Sequence, residues 1–191
     1  MFLLLRVRFL LRIKLRKDPA RWLHVKRMMK VALKLQKHYG ADKKQTKIAV
    51  LLHDILKNED PKTLKKMVEE HFPALDHQAF PEATWHALCA MIYAKEKLGI
   101  SDSDVLNAIK YHTTGRVGMS LLEKIICLAD YIEEGRTYVS EDIKSLAYLD
   151  IDKALYLLML EITAYLKKHN LPVSSLTLAA IGAYTSQYGG I

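Results

Sequence analysis

Two metal-binding residue types, His53 and Asp54, stand side by side near the end of an apolar run over residues 48–57 that predicts a helix. Neighbouring residues on a helix point about 100° apart, so both side chains reach one site only where the helix ends. Three further histidines and one aspartate occur singly in apolar helical stretches: His24, His86, His112 and Asp130. The six residues together have the order that a metal-dependent phosphohydrolase needs.

These residue types favour a particular class of metal. Imidazole nitrogens combined with carboxylate oxygens suit first-row divalent ions, and iron and manganese fit best. A carboxylate such as Asp54 can bridge two ions, which together stabilise the attacking and leaving oxygens of phosphoryl transfer. Six ligands are too many for a closed structural zinc. Each histidine alone is more often packed than metal-bound, whereas Asp54 and Asp130, in apolar stretches, need a cation partner.

The composition predicts one all-α domain, a bundle of helices joined by short loops. The 191 residues are 50% hydrophobic and 8% aromatic, with 8 glycines and 5 prolines, which argues against disorder and against a turn-rich β-sandwich. The cysteines, Cys89 and Cys127, lack CxxC spacing, so we expect neither disulfides nor a zinc knuckle. This cysteine usage is typical of a reduced, cytoplasmic protein.

Capping signals divide the chain into helices. Asp18-Pro19 predicts the start of a helix that carries His24 and closes at Gly40, and Asp42 opens the helix that ends at the His53-Asp54 pair. The other predicted helices are a short one from Asp60-Pro61, 82–98, 101–111, 120–132, 150–168 and 173–188. The candidate ligands therefore come from several helices of one bundle. The last two helices either complete its core or form the face of a homodimer.

The basic charge is concentrated at the start of the chain. Six of the 29 basic residues and none of the 21 acidic ones fall in residues 1–17, and the formal net charge is +8. We divide the chain into a basic amphipathic segment, 1–19, and a helical domain, 20–191. The segment is too short and too rich in arginine for stable membrane insertion, and it lacks signal-peptide features. It either lies on a membrane or partner or packs on the domain as a first helix.

Three basic residues near the candidate ligands are candidates for phosphate binding. Lys57 follows His53 by one turn, Arg116 lies in the loop after His112, and Arg136 follows the helix that carries Asp130. Arginine suits bidentate contact with phosphate oxygens. Each of the three could equally be a solvated surface charge.

Longer motifs resemble a known family. The order of the six residues is that of the HD-domain phosphohydrolases. Four segments further resemble the YqeK family: Trp85-His86-Ala87, residues 108–116 (AIKYHTTGR), residues 118–124 (GMSLLEK) and residues 128–133 (LADYIE). The similarity extends over roughly residues 20–185. Residues 22–28 and 137–139 depart from the usual family pattern, and these departures affect the expected fit of the substrate.

The resemblance implies a single HD-domain helical bundle with a dinuclear metal site. YqeK proteins hydrolyse diadenosine tetraphosphate symmetrically to two ADP with bound iron, by metal-activated water, and manganese or another divalent transition metal is the alternative. By this resemblance the metal ligands are His24, His53, Asp54, His86, His112 and Asp130. Asp54, Lys57 and Arg116 are then the expected catalytic residues. The resemblance also implies that Thr114, Gly115 and Arg116 contact the substrate, with Lys57 nearby, and Arg136 is an expected substrate contact from its place after the helix that carries Asp130.

Two other functions stay open at this stage. The chain could be an HD-domain phosphohydrolase for another nucleotide, such as a deoxynucleotide or a stringent-response nucleotide. It could also be a non-catalytic, metal-bearing protein that binds a nucleotide or, through its basic first helix, nucleic acid. The second function leaves the ligand set unexplained, so we expect a dinucleoside polyphosphate as partner and no specific nucleic acid.

Overall fold

The structure is a computed structural model that describes residues 2–188. Within that range it contains ten α-helices, one 3-10 turn and no strand. The helices are α1 (Phe2–Lys14), α2 (Pro19–Tyr39), α3 (Lys43–Leu52), α4 (Pro61–His71), α5 (Trp85–Leu98), α6 (Ser103–Tyr111), α7 (Leu121–Ile132), α8 (Glu141–Leu146), α9 (Ile151–Lys168) and α10 (Ser175–Tyr188). The predicted all-α fold is confirmed. The expected domain limits at residues 1 and 191 lie outside the described residues.

Helix starts follow the predicted capping residues. The side chain of Asp18 accepts a hydrogen bond of 2.8 Å from the backbone N–H of Arg21 at the start of α2. Asp42 caps α3 in the same way, and Ser120 opens α7 through a capping box with Glu123. These bonds satisfy backbone donors that the first turn of a helix leaves free.

Two elements differ from the sequence prediction. Residues 82–84 form a 3-10 turn, so α5 begins at Trp85 instead of residue 82. The six-residue helix α8 was not predicted, because its signal is limited to the Ser140 cap and the two acidic residues of its first turn, Glu141 and Asp142. A helix this short buries only Ile143, so it produces no readable apolar period.

Helix α7 occupies the centre of the hydrophobic core. Its residues Ile125, Ile126, Leu128 and Ala129 have no exposed surface, and α7 packs against α2, α3, α6 and α9. Helix α5 packs against α6 and α3. This arrangement brings the ends of α3 and α6 and the first turn of α5 beside α2 and α7, where the candidate ligands lie.

Helix α1 packs against α3. Val7 and Leu11 of α1, with Leu15 directly after it, are buried in the common core. Full burial of each such side chain contributes about 1.5–3 kcal/mol, so this face of α1 is a structural part of the bundle. Within residues 2–188, none of the helices combines the length and the hydropathy that crossing a bilayer requires.

Candidate metal centre

All six predicted ligands lie in one buried cluster. They are His24 from α2, His53 and Asp54 directly after α3, His86 from the first turn of α5, His112 directly after α6, and Asp130 from α7. The most exposed of them, His24, is only 8% exposed. Helix α3 ends at Leu52, directly before the pair at which its end was predicted, and this end allows two adjacent side chains, His53 and Asp54, to share the cluster.

Asp54 lies between two sets of donors. Its Oδ1 is 3.3 Å from Nε2 of His86 and 3.7 Å from Nε2 of His112. Its Oδ2 is 3.5 Å from Nε2 of His53. One carboxylate therefore faces three imidazoles, with its two oxygens directed to different ones.

The second set surrounds His24. Its Nε2 lies 3.1 Å from Oδ1 of Asp130 and 3.4 Å from Nε2 of His53. Two overlapping groups have ligand atoms that all lie within 4.8 Å of one another: His24, His53 and Asp130, and His53, Asp54 and His112. Each group has the residue types and spacing to hold a metal ion.

Backbone carbonyls fix the orientation of three imidazoles. In His53, His86 and His112, Nδ1 lies within 3.0 Å of the carbonyl oxygen three residues earlier. A carbonyl only accepts hydrogen bonds, so Nδ1 carries the proton and Nε2 keeps its lone pair. The carbonyls are available because His53 and His112 follow the last turns of α3 and α6, where carbonyls lack helical partners. The ends of α3 and α6 therefore determine where the imidazoles of His53 and His112 lie and which of their ring nitrogens carries the proton.

A carboxylate has the same role for His24. Oε1 of Glu133 lies 3.2 Å from Nδ1 of His24, and Oε2 accepts the backbone N–H of Gly135 at 2.6 Å. Glu133 is only 3% exposed. Such outer partners set the tautomer of a ligating histidine and raise its basicity.

The cluster contains buried acceptors that face each other without a donor. Oδ1 of Asp54 and Nε2 of His112 are buried and have no hydrogen-bond partner among the described residues. Two lone pairs at such distances repel, and an unsatisfied buried polar atom costs about 1–3 kcal/mol. A divalent cation between them satisfies both, so the donor set fits metal ions.

The charge states also suit metal binding. Burial raises the pKa of Asp54, but positive charge on the facing imidazoles, chiefly on His53 when it is protonated, outweighs burial and holds that pKa well below its usual range. A metal ion in place of that proton would act in the same direction. Burial lowers the pKa of His86 to about 4. At neutral pH the carboxylate is therefore ionised and the His86 imidazole neutral, which are the ligating forms.

Three cations contact the cluster. Nη1 of Arg21 lies 2.8 Å from Oδ2 of Asp54, and Nζ of Lys57 lies 3.2 Å from Nε2 of His86. Nη2 of Arg136 lies 3.1 Å from Oδ1 of Asp130. Lys57 and Arg136 were singled out from the sequence, whereas Arg21 was missed.

A cavity of about 320 Å³ opens beside His24 and is lined in part by Arg21, Arg27 and Arg136. Two acids, Asp18 and Glu133, also line it. Arg21 and Arg27 stand three residues before and after His24, a spacing that places all three on one helix face. This spacing is the feature of the sequence from which both arginines could have been predicted to lie beside His24.

The loop after His112 is held by contacts outside the cluster. Nε and Nη2 of Arg116 bind the buried carboxylate of Glu123 at 2.8 and 2.6 Å. The carbonyl of Thr114 accepts a 2.7 Å bond from Oγ1 of Thr177. Gly115 has φ +61°, and an added Cβ would overlap Cε of Met159. Within residues 2–188 these three loop residues share no hydrogen bond or ion pair with the six candidate ligands.

Comparisons with known proteins agree with this architecture. The HD domain family matches residues 21–135. A protein from Halalkalibacterium halodurans is 38% identical over 160 residues, which cover 83% of this chain and 86% of that protein. One from Bacillus subtilis is 39% identical over 157 residues, 80% of this chain and 83% of that protein. Both relatives are named bis(5'-nucleosyl)-tetraphosphatase, symmetrical.

A solved structure from Clostridium acetobutylicum has the same fold. It superposes with a TM-score of 0.88 at 32% identity, covering 95% of this chain and 96% of that one. That protein is described as a predicted HD superfamily hydrolase involved in NAD metabolism. The matched family, the relatives and the shared fold agree with one another over most of the chain. The chain therefore belongs to the HD domain family of phosphohydrolases and, within it, to the YqeK group.

Proposed function

We propose that this protein hydrolyses a dinucleoside tetraphosphate symmetrically at a dinuclear metal centre. The observation that carries the proposal is the buried cluster in which lone pairs of imidazole and carboxylate face one another around Asp54. The names of three relatives, all symmetrical bis(5'-nucleosyl)-tetraphosphatases, support the choice of substrate.

The metal ligands in this proposal are His24, His53, Asp54, His86, His112 and Asp130, with Asp54 serving both sets. When bound, two ions of iron, manganese or another divalent transition metal would supply a water that is nucleophilic at neutral pH and neutralise charge on phosphate oxygens. The protein's own contribution is to hold the imidazoles in the ligating tautomer and to keep the cluster out of bulk water.

Cationic side chains would bind the polyphosphate. Arg21, Arg27 and Arg136 line the cavity beside His24, and a guanidinium binds phosphate oxygens bidentately. Lys57 faces the cluster from the side of His86 and would turn to the oxygen on which negative charge develops. Burial lowers the pKa of Lys57, which favours proton donation to that oxygen.

The bond that breaks decides the products. Water adds to one of the two central phosphorus atoms, and the bond from that phosphorus to the central bridging oxygen breaks. Each half then keeps two phosphates, so diadenosine tetraphosphate and water yield two ADP. Cavity arginines on both central phosphates would favour this position over the outer bonds.

The predicted role of Thr114, Gly115 and Arg116 requires a rearrangement. Arg116 would have to exchange its Glu123 partner for a phosphate, which leaves a buried carboxylate uncompensated and costs several kcal/mol. Arg21 and Arg136 also pair with buried carboxylates, Asp54 and Asp130, but these are proposed metal ligands, whose charge bound metal ions would compensate. We therefore assign the main phosphate contacts to Arg21 and Arg136 and keep the loop as a predicted secondary contact.

Product analysis tests the proposal. Protein loaded anaerobically with Fe²⁺ or Mn²⁺, with its metal content measured, is given diadenosine tetraphosphate, and the nucleotides are separated by chromatography. ADP as the only product is expected, and chelation of the metal should abolish it. ATP with AMP would contradict symmetrical cleavage.

A second candidate is hydrolysis of another nucleotide. The description of the Clostridium acetobutylicum protein as involved in NAD metabolism favours including it. The same metal-loaded protein is therefore given NAD, a deoxynucleoside triphosphate and a stringent-response nucleotide. Turnover of one of these, without turnover of diadenosine tetraphosphate, would favour the second candidate.

A further inference from the structure

Helix α1 has a second apolar face that points away from the core. Leu5, Phe9 and Ile13 follow one another at intervals of four residues and are 60%, 65% and 47% exposed. Their spacing makes a stripe about 12 Å long on one side of the helix, while Val7 and Leu11 fill the core from the other side. Single exposed apolar residues are ordinary, but an aligned row of them indicates a contact surface.

Arginines flank this stripe. By helical periodicity Arg8 and Arg12 lie along one side of it and Arg6 along the other, and Arg16 continues the row after the helix ends. No acidic residue occurs among residues 1–17. Within residues 2–188, none of Arg8, Arg12 and Arg16 forms an ion pair. The surface therefore combines exposed apolar area with uncompensated positive charge.

An adjoining groove has the same character. It has a volume of about 410 Å³ and runs between α1, α2 and α3, with Trp22 and Met29 among its apolar lining. Among the residues that the structure describes, no acid lines it. Four cations line it: Arg8, Lys26, Lys30 and Lys47. The stripe and the groove thus form one continuous surface, the α1 face.

We propose that the α1 face docks on a bilayer that contains anionic phospholipids. The stripe would enter the boundary between headgroups and acyl chains, and the cations of the stripe and groove would meet lipid phosphates. The positive charge of the α1 face favours an anionic bilayer over other partners. A symmetric contact with a second copy would oppose arginine to arginine. Single-stranded nucleic acid is bound by a basic groove combined with several stacking aromatic rings, whereas the exposed stripe offers one ring, Phe9, between two aliphatic residues.

Vesicle binding by the full chain tests the proposal, which does not depend on the identity of the substrate. Protein is sedimented with vesicles of phosphatidylcholine alone or with 30% phosphatidylglycerol, roughly the anionic content of a charged membrane surface. Binding to the anionic vesicles only, weakening as NaCl rises, is expected. The variant Arg8→Gln/Arg12→Gln/Arg16→Gln should bind them about a hundredfold more weakly. Its control, Lys62→Gln/Lys65→Gln/Lys66→Gln on α4, removes the same charge elsewhere and should bind nearly as wild type.

A second variant tests the apolar stripe. Leu5→Ser/Phe9→Ser/Ile13→Ser should lose binding by at least about tenfold, while the control Leu149→Ser/Leu160→Ser/Leu171→Ser, at other exposed positions, should retain it. Circular dichroism checks that each variant is folded. Three results would overturn the proposal: absence of binding to anionic vesicles, equal binding to neutral ones, or a concentration-dependent dimer that the stripe variant abolishes.

Discussion

Replacing Glu133 tests how the protein positions the first histidine of the cluster. Its carboxylate lies 3.2 Å from Nδ1 of His24 and is held on its other side by the N–H of Gly135 at 2.6 Å. Glu133→Gln keeps an acceptor and the side-chain volume but removes the charge that raises the basicity of Nε2. Loss of an outer partner lowers metal affinity about 10–100-fold, equivalent to about 1.4–2.7 kcal/mol.

Calorimetric titration of the metal-free protein with Mn²⁺ measures this loss, and the neighbouring residue provides a matched control. Glu134 has a side chain that is 64% exposed, and its ion-pair contact is with Nζ of Lys30 at 4.0 Å. Glu134→Gln should change the affinity less than twofold, consistent with a weak surface pair. Wild-type affinity in Glu133→Gln, or an equal loss in both variants, would refute the assignment of Glu133 as a positioning residue.

Three further changes probe the phosphate contacts and the fold. Arg21→Ala should lower kcat/KM for the tetraphosphate about 10–150-fold, which corresponds to the loss of one charged hydrogen bond. The control Lys34→Ala, at an exposed position on the same helix, should leave kcat/KM unchanged. Equal kcat/KM in the two variants would contradict a phosphate-binding role for Arg21. Gly115→Ala should lower the free energy of unfolding in urea by about 1–3 kcal/mol, because the added Cβ overlaps Met159. Gly118→Ala should lower it by about 1 kcal/mol, because Gly118 has φ +69° but open space around it. A larger loss in Gly118→Ala than in Gly115→Ala would be inconsistent with this packing. Asp102→Ala removes the cap of α6 and should cost about 1 kcal/mol at pH 7. The hydrogen bond from Gln45 is the main cause of the lowered pKa of Asp102 in the folded protein. The stability that the ionised carboxylate adds is therefore fully present above the ordinary carboxyl pKa and is lost as pH falls through the lower pKa of the folded state. A destabilisation by Asp102→Ala that does not diminish as pH falls below the ordinary carboxyl pKa would contradict this prediction.

Local signals in the sequence predicted the helices and the position of the ligand pair. Capping residues such as Asp18 and Ser120 act on backbone donors within their own first turn, so a short segment contains all that is needed to place a helix start. The helix end before His53 was predicted for a similar reason: two adjacent ligands can share a site only where the helix stops. The structure agrees, with α3 ending at Leu52.

Pairings between distant segments were not readable in the same way. Arg116 was expected beside phosphate because it follows a ligand, but its partner is Glu123, an acid that also caps α7. Glu133 was not among the predicted site residues, although it contacts a histidine 109 residues away. Which carboxylate meets which cation depends on how helices pack, and periodicity along one helix does not specify that. Arg21 is different, because its spacing from His24 alone places it on the same face.

Replacing Asp54 tests the central claim, that this carboxylate joins two sets of ligands into one hydrolytic centre. Metal bound per chain and ADP formed from diadenosine tetraphosphate are measured together, anaerobically, for the wild type, for Asp54→Ala and for Asp142→Ala, an exposed acid at the start of α8. We predict two ions per chain and ADP alone for the wild type and the control, with loss of both bound metal and ADP in Asp54→Ala. Undiminished ADP formation in Asp54→Ala, at unchanged metal content, would contradict the proposed centre.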